Sequence, residues 1–389
     1  MSSNQIDQAI LRELRKYVIR QDDISGDDIW DEWKFYEDIN YFSKVYKYFK
    51  NHFSEALSTS NYICSLGKSG LPLAAKLAFD TGKPLIIFSV SEFIKEERTF
   101  IMGIPNDKID LSGANIFCAD SHLRTGGTVR LADSILKSYH IDKIKYAVMF
   151  DTSEKPDVTK GIDVYSLMQW SDINKYLAIS EERIAKDDFW MKDDKYWITY
   201  AESDNKWELN NGDEQYDKVT EPEIILLEDE EKYLLDDNIE YAKPLDLYYH
   251  VKLFKVFIDR TIKKLNNIIN TIDTVVAMSV SAIPMAFVLA NKISELNSSN
   301  NHEVKFIFLM NEPISYYKNN LSDRNSLLLC DDIMLTGGLL HAVRKLLVKD
   351  DSKIKSLVTI IDSKQFINRK YLHSFLANTN ASFITGISK

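Results

Sequence analysis

Two stretches of this chain repeat one another in the same order and at nearly the same spacing, and any fold must accommodate that unit twice. "SLGKSGLPLAAKLA" from Ser65 aligns without a gap on "AMSVSAIPMAFVLA" from Ala277, which sets Pro72 over Pro284 at an offset of 212 residues. "IFCADSHLRTGGTVRLADSIL" from Ile116 aligns on "LLLCDDIMLTGGLLHAVRKLL" from Leu327, with Asp120 over Asp331 at 211. "KIKYAVMFD" from Lys143 then matches "KIKSLVTIID" from Lys353 at 210. Each unit reads as strand, tight loop, helix starting near the proline, second strand and long loop. A third strand, a loop carrying an acid and Thr-Gly-Gly, a second helix and a fourth strand complete it. Runs such as Leu85–Val90, Phe306–Met310 and Leu357–Ile361 suit strands buried on both faces of a parallel sheet. The expected class is α/β, with doubly wound parallel sheets and ligands at the carboxyl ends of the strands.

The 389 residues suffice for two cores, with 45% apolar and 27% charged content in the ordinary globular range. A net charge of -10 gives no global attraction to nucleic acid or anionic membrane, so any anion site must be local. Cys64, Cys118 and Cys330 are an odd, scattered set in apolar runs, which fits buried thiols in a reducing compartment better than disulfides. None of the seven histidines has a second His or Cys at metal-ligand spacing, so zinc chemistry lacks support. The amino terminus carries no signal pattern, and no run reaches the ~18 apolar residues of a membrane span. A cytoplasmic protein is expected.

The alternation divides the chain into 1–165, holding an N-terminal helical segment and the first unit, an insert at 166–245, and the second unit at 246–389. The insert breaks the pattern with Trp170, Trp190, Trp197 and Trp207 among many acids and tyrosines. Its "WITYAE" and "KWEL" pieces suggest short antiparallel strands, so an α+β insert is expected. It suits a hood over the first site, a partner-binding surface, or a connector packing the two units. The acidic stretch from Leu227 to Tyr241 reads as a solvated helix or linker. Helical aromatic spacing at Asn40–Leu57 and Tyr248–Leu265 places a helix ahead of each unit's first strand.

The loop after "IFCA" has the makings of an anion cup. Thr125, Gly126, Gly127 and Thr128 precede a helix; the glycines let successive N–H groups converge, the helix start adds partial positive charge, and Thr hydroxyls donate. Asp120, ending the strand, is placed to accept from ribose hydroxyls. The earlier loop Gly67-Lys68-Ser69-Gly70 also joins a strand to a helix and suits a second anionic group. It is not a Walker loop, because Tyr62 stands where that spacing requires Gly.

"IFCADSHLRTGGT" and "LLLCDDIMLTGGL" resemble the motif by which type I phosphoribosyltransferases bind 5-phosphoribosyl-1-diphosphate (PRPP): four apolar residues, one or two acids, two apolar residues, then Thr-Gly-Gly. The first copy is similar to uracil phosphoribosyltransferases, where a non-acidic residue, here Ser121, follows a single acid. The stretch from "TGKPLIIFSVSE" through "IDLSGANIFCAD" resembles orotate phosphoribosyltransferases. The resemblance covers roughly 40–165 and 245–365, and implies two tandem phosphoribosyltransferase-like domains. It further implies that Asp120 contacts the ribose hydroxyls, Thr125 to Thr128 the 5-phosphate, and Lys68 with its loop the pyrophosphate. Mg2+ would bridge, reaching Asp120 only through PRPP. A cis peptide is common in such pyrophosphate loops.

The copies depart from that pattern differently. The first keeps Gly67, Lys68, Ser69, Gly70 and the whole Thr-Gly-Gly-Thr, with Ser121 for a second acid. The second keeps Asp331, Asp332, Thr336, Gly337 and Gly338, but Leu339 replaces the last hydroxyl and Ser279-Val280-Ser281-Ala282 replaces the charged loop. Chemistry is therefore assigned to the first copy, and a ribose-phosphate ligand or a structural role to the second. Lys95 and Arg98, in the long loop Ser91–Lys108, suit a lid over departing pyrophosphate, although exposed loops also carry such charges for solubility. Arg124 adds charge to the cup, and His122 is either a ligand or a tolerated loop residue.

The reading is a Mg2+-dependent phosphoribosyltransferase that displaces pyrophosphate toward a nucleobase or nucleotide-like acceptor. Two alternatives stay open: an inactive PRPP- or nucleotide-sensing module controlling a partner protein, and a PRPP synthetase-like enzyme. Resembling proteins also serve as effectors beside the reverse transcriptases of bacterial defence retrons, which places antiviral defence among the expected settings. A homo-oligomer or an internal pseudo-dimer of the two units is expected, with no nucleic-acid patch.

Overall fold

The computed structural model describes residues 13–19, 29–30, 32–92, 98–103, 110–124, 126–153, 158–169, 222–227, 230, 234, 244–298, 302–309, 326–334, 340, 353–363, 370–379 and 381–388. The Trp-rich stretch 170–221, with its two expected strands, lies outside them.

A two-residue antiparallel ribbon, β1 (Val18–Ile19) with β2 (Ile29–Trp30), precedes the main body. The first sheet comprises β3 (Tyr62–Leu66), β4 (Leu85–Glu92), β5 (Arg98–Gly103), β6 (Asn115–Leu123), β7 (Lys143–Asp151) and β8 (Val164–Gln169), in the order β5-β4-β3-β6-β7-β8. Only β5 is antiparallel. The second contains β9 (Glu223–Ile224), β10 (Thr274–Ala277), β11 (Lys305–Phe308), β12 (Leu327–Met334), β13 (Ile354–Asp362) and β14 (Ser382–Ser388), ordered β11-β10-β12-β13-β14-β9 and parallel throughout. With β5 and β9 set aside, both sheets read second, first, third, fourth, fifth strand. The fold is α/β with two parallel sheets.

Two features differ from the sequence pattern. Each sheet has a fifth parallel strand, β8 or β14, where four were read. β8 escaped because "VYSLMQ" is neither a continuous apolar run nor a clean alternation; it lies at a sheet edge where only Met168 is buried and Tyr165 is exposed. The presumed loop Ser91–Lys108 is in part a hairpin: β4 runs on to Glu92 and β5 returns, pairing Glu92 with Arg98 and Ile87 with Gly103. "RTFIM" is rich in residues that suit a pleated surface.

The helices are α1 (Glu32–Glu37), α2 (Ile39–His52), α3 (Ser54–Thr59), α4 (Gly70–Thr81), α5 (Gly127–Lys137), α6 (Asp246–Tyr249), α7 (Val251–Leu265), α8 (Ile283–Asn297) and α9 (Lys370–Thr379). α2 starts where Asp38 Oδ1 accepts from Tyr41 N at 2.8 Å, and it buries Tyr41, Phe42, Val45, Tyr46 and Phe49 along one stripe. α4 is buried on nearly every side from Leu71 to Phe79, because it lies between the first sheet and α8. It ends at Gly82, whose φ of 72° is the left-handed cap a glycine adopts freely.

Five layers result. Period-two alternation puts Cys64, Leu66 and Cys118 on the outer face of the first sheet under α5, while Ile63, Phe117 and Ala119 face a central core. The second sheet likewise sets Leu327 and Leu329 against α9 and turns Leu328 and Cys330 inward. The central layer holds α1 to α4 and α6 to α8. Its contacts exchange between halves: α1 packs on β11 and α6 on β4, while α2 packs on α8 and α7 on α4. Phe42 meets Phe287 at 4.8 Å, and Phe254 meets Phe79 at 5.7 Å. Each fully buried aromatic contributes on the order of 1.5–3 kcal/mol, so the halves share one core.

The acidic stretch after Leu227 is anchored rather than free where described. Glu230 accepts from Leu227 N at 2.8 Å and pairs with Arg260 at 2.6 Å, and Leu234 is buried.

Candidate functional site

The first basin forms where β3 and β6 end side by side. Gly67 turns the chain with φ 67°, and Ser69 leads into α4 without a side-chain cap; Leu71 N donates to the Lys68 carbonyl and Pro72 has no N–H, so the Gly70 N–H is the first-turn donor left for a ligand. No cis peptide occurs among the described residues. Gly70 is forced by proximity: a Cβ there would sit 2.7 Å from the Ala119 carbonyl oxygen and 3.3 Å from Asp120 Cα. Ser69 Oγ donates to Asp120 Oδ1 at 3.0 Å, and Ser121 N donates to the same oxygen at 2.7 Å.

The second wall is the start of α5. Gly126 has φ 69°, and no side chain caps the helix. A Cβ on Gly126 would overlap the Val158 carbonyl oxygen, so the turn at 158–161 closes directly on the cup. Arg130 Nη1 donates to that same carbonyl. Thr128 Cγ2 lies 3.8 Å from where a Gly67 Cβ would be, which places both uncapped helix starts on one basin.

Burial pushes the Asp120 carboxyl up to about 8, although the Ser69 hydroxyl and the Ser121 N–H oppose the shift. Half-buried Lys68 is pulled down by burial, and among the described residues no carboxylate pairs with it. A neutral Asp120 adds no negative charge to the basin at pH 7, which leaves it receptive to an anion. His122 is a strand residue, bonded to Thr152 Oγ1, and burial with Arg124 nearby pulls it down to about 4, so it is neutral at pH 7. Arg124 is exposed at the strand end. Ser121 is buried on the row of Phe117 and Ala119, the row that packs in the central layer. Gly127 opens α5. Lys95 and Thr125 lie outside the described residues, and Arg98 is placed only as the β5 residue opposite Glu92.

In the second half the corresponding loop is occupied from within. Asp332, in the place of Ser121, accepts from Ser279 Oγ at 2.9 Å and from Ser281 Oγ at 2.5 Å. Asp331 is buried, and burial with the neighbouring Asp332 raises it well above the carboxylate range. No cation replaces Lys68 there, since Val280 stands in its position. Thr336, Gly337 and Gly338 lie outside the described residues.

Against solved structures, the chain is similar to orotate phosphoribosyltransferase from Aeropyrum pernix, at 20% identity over 44% of this chain and 99% of that one, with a TM-score of 0.37. It is also similar to adenine phosphoribosyltransferase from Saccharomyces cerevisiae, at 19% identity over 42% and 100%, TM-score 0.33. Purine phosphoribosyltransferase from Pyrococcus horikoshii matches at 20% identity over 33% and 81%, TM-score 0.28. No family model and no curated protein matches the chain.

Two groups near the basin lay outside the motifs. Tyr36 donates to the Ser69 carbonyl oxygen at 2.7 Å from a helix 33 residues upstream. Arg130 bonds the Val158 turn across 28 residues. Extending the 212-residue alignment upstream would have set Tyr36 over Tyr248.

Among the described residues, no three His, Cys, Asp or Glu side chains group to hold a metal. Asp120 and the Ser69 hydroxyl offer one or two oxygen donors, which fits a hard cation arriving on a ligand's diphosphate rather than a cage built by the protein.

Proposed function

We propose that the first half binds PRPP, or a related ribose 5-phosphate, and displaces its pyrophosphate toward a nucleobase or nucleotide-like acceptor. The observation that carries this is the meeting of two helix starts without side-chain caps, at 70 and 127, around Asp120, with Lys68 in the loop that leads into the first of them. The cup at 126–128 takes the 5-phosphate, Asp120 the ribose hydroxyls, and the loop 67–70 the pyrophosphate. Mg2+, if carried in on the pyrophosphate, would supply charge neutralisation there, with Asp120 and the Ser69 hydroxyl as the chain's nearby oxygen donors. The chain's own contribution is to hold C1 of the ribose between two fixed anion sites and to stabilise charge on the leaving group through Lys68 and backbone N–H groups.

The two halves are further proposed to be copies of one unit forming an internal pseudo-dimer with a single working site. Shared strand order and the exchanged helix contacts support it, and the Asp332 carboxylate disfavours a second anion in the loop it fills.

Pyrophosphate release from PRPP, measured with Mg2+ and a panel of bases, tests the reading. Lys68→Ala is expected to weaken binding of the pyrophosphate end by roughly ten- to a hundredfold. Asp120→Asn should abolish turnover, while Asp331→Asn leaves it intact. Binding of PRPP without turnover in every base mixture would favour the sensing module instead. Equal losses from Asp120→Asn and Asp331→Asn would overturn the single-site assignment.

A further inference from the structure

A tyrosine from outside each sheet holds the loop between that sheet's first strand and first helix. Tyr36 in α1 donates to the Ser69 carbonyl oxygen at 2.7 Å, and Tyr248 in α6 donates to the Ser281 carbonyl oxygen at 2.7 Å. Both pairs are 33 residues apart and stand at the offset that sets Pro72 on Pro284. The residues joining each helix pair match as well: Asp38 has φ -86° and ψ 84°, His250 φ -82° and ψ 67°. The loops themselves share only their final serine. Gly67-Lys68-Ser69 presents a cation, whereas Ser279-Val280-Ser281 wraps a carboxylate. One brace thus serves two loops of different chemistry.

In the first half the brace reaches the basin in one further bond. The serine whose carbonyl Tyr36 holds donates its own hydroxyl to Asp120 Oδ1 at 3.0 Å. That carbonyl belongs to the peptide whose N–H opens α4 at Gly70, where backbone already meets Ala119 and Asp120 closely. The tyrosine ring is fixed in turn by Phe42 at 5.6 Å and by Phe287 of α8, from the other half, at 5.4 Å.

We propose that Tyr36 is a positioning residue for the anion loop at 67–70, holding Ser69 so that Lys68 and the Gly70 N–H face the basin. Its functional consequence rests on the diphosphate reading of that basin; the bracing itself does not. Tyr36→Phe and Tyr248→Phe in the full chain separate the two, because each keeps the ring and removes the hydroxyl. Amide hydrogen exchange without ligand reads the bracing, and calorimetric titration with inorganic pyrophosphate and Mg2+ reads the consequence.

Tyr36→Phe should speed exchange across 67–73 but not across 279–285, and weaken pyrophosphate binding roughly tenfold, with KM for PRPP rising more than kcat falls. Tyr248→Phe should speed exchange at 279–285 alone and leave pyrophosphate binding at the parent value. Unchanged exchange at 67–73 in Tyr36→Phe would overturn the proposal. So would acceleration spread evenly over both halves, the mark of a residue that only packs the core. An unaltered affinity in Tyr36→Phe, in a chain that does bind pyrophosphate, would overturn it too. Should the parent bind no pyrophosphate, the functional reading fails, and exchange at 67–73 alone decides whether Tyr36 positions the loop.

Discussion

Gly70 and Asp120 set the chemistry of the basin by what they lack: one has no side chain, the other has little solvent. Gly70→Ala would press a Cβ to 2.7 Å from a backbone oxygen, and backbone at a sheet centre yields little. The expected cost is on the order of 1–3 kcal/mol in chemical denaturation. Ala282 occupies the matching position in the second half, so Ala282→Gly should cost about 1 kcal/mol or less. Asp120 predicts a pH dependence. Its carboxyl holds a proton up to about 8 in the folded chain against 3.8 ordinarily, so between those values the folded state binds the extra proton. Its stabilising contribution is therefore whole below about 4 and is lost as pH rises through about 8. Asp120→Asn should flatten the fall in melting temperature between pH 6 and pH 9. The acid and the glycines were legible in the sequence because a strand followed by acid, Thr-Gly-Gly and helix names its own geometry. The proton on Asp120 was not, since burial is a property of neighbours distant in the chain.

Among the elements, α8 shows how a helix start can be closed to ligands. The Asp332 carboxylate takes both serine hydroxyls at the head of this helix, where the dipole favours negative charge. Asp332→Ala leaves those hydroxyls without their acceptor and should destabilise the chain by roughly 1–3 kcal/mol. Pyrophosphate affinity should stay at the parent value, a result that titration beside thermal melting would check. The apolar runs of β3, β4, β6, β12 and β13 made the parallel sheets readable, because strands buried on both faces leave no room for polar alternation. β5 and β8 were hidden for the opposite reason: one sits in a stretch whose charges suggested a loop, the other lies at an edge where polar residues interrupt its apolar run. The pairing of α1 with β11 and of α6 with β4 had no local signal at all. Each helix packs on an element more than 150 residues away, and no short window of sequence records that distance.

At the scale of the whole molecule, neither half is independent. α4 buries Leu71, Leu73, Ala74, Leu77 and Ala78 completely, and α7 and α8 of the second half supply part of that cover. Lys76, itself buried, pairs with Asp80 at 2.8 Å and reaches Glu295 of α8 at 3.5 Å. A fragment of residues 1–169 would expose that face, and it is expected to aggregate or to melt without a cooperative transition in calorimetry. Adding residues 222–389 as a separate chain should rescue it in part. The repeat announced two units but not this dependence, because an offset of 212 fits beads on a string as well as two interlocked sheets.

The depth at which the sheets place their cysteines has a practical side. Cys64, Cys118 and Cys330 are all fully buried, and burial raises Cys118 and Cys330 above the usual thiol range. The native chain should thus be inert to an aromatic disulfide reagent, and colour should develop only as molecules open. Reagent consumption then becomes a clock for global opening of both halves, and a single Leu296→Cys change at an exposed position would give a lone dye attachment point on an otherwise silent surface.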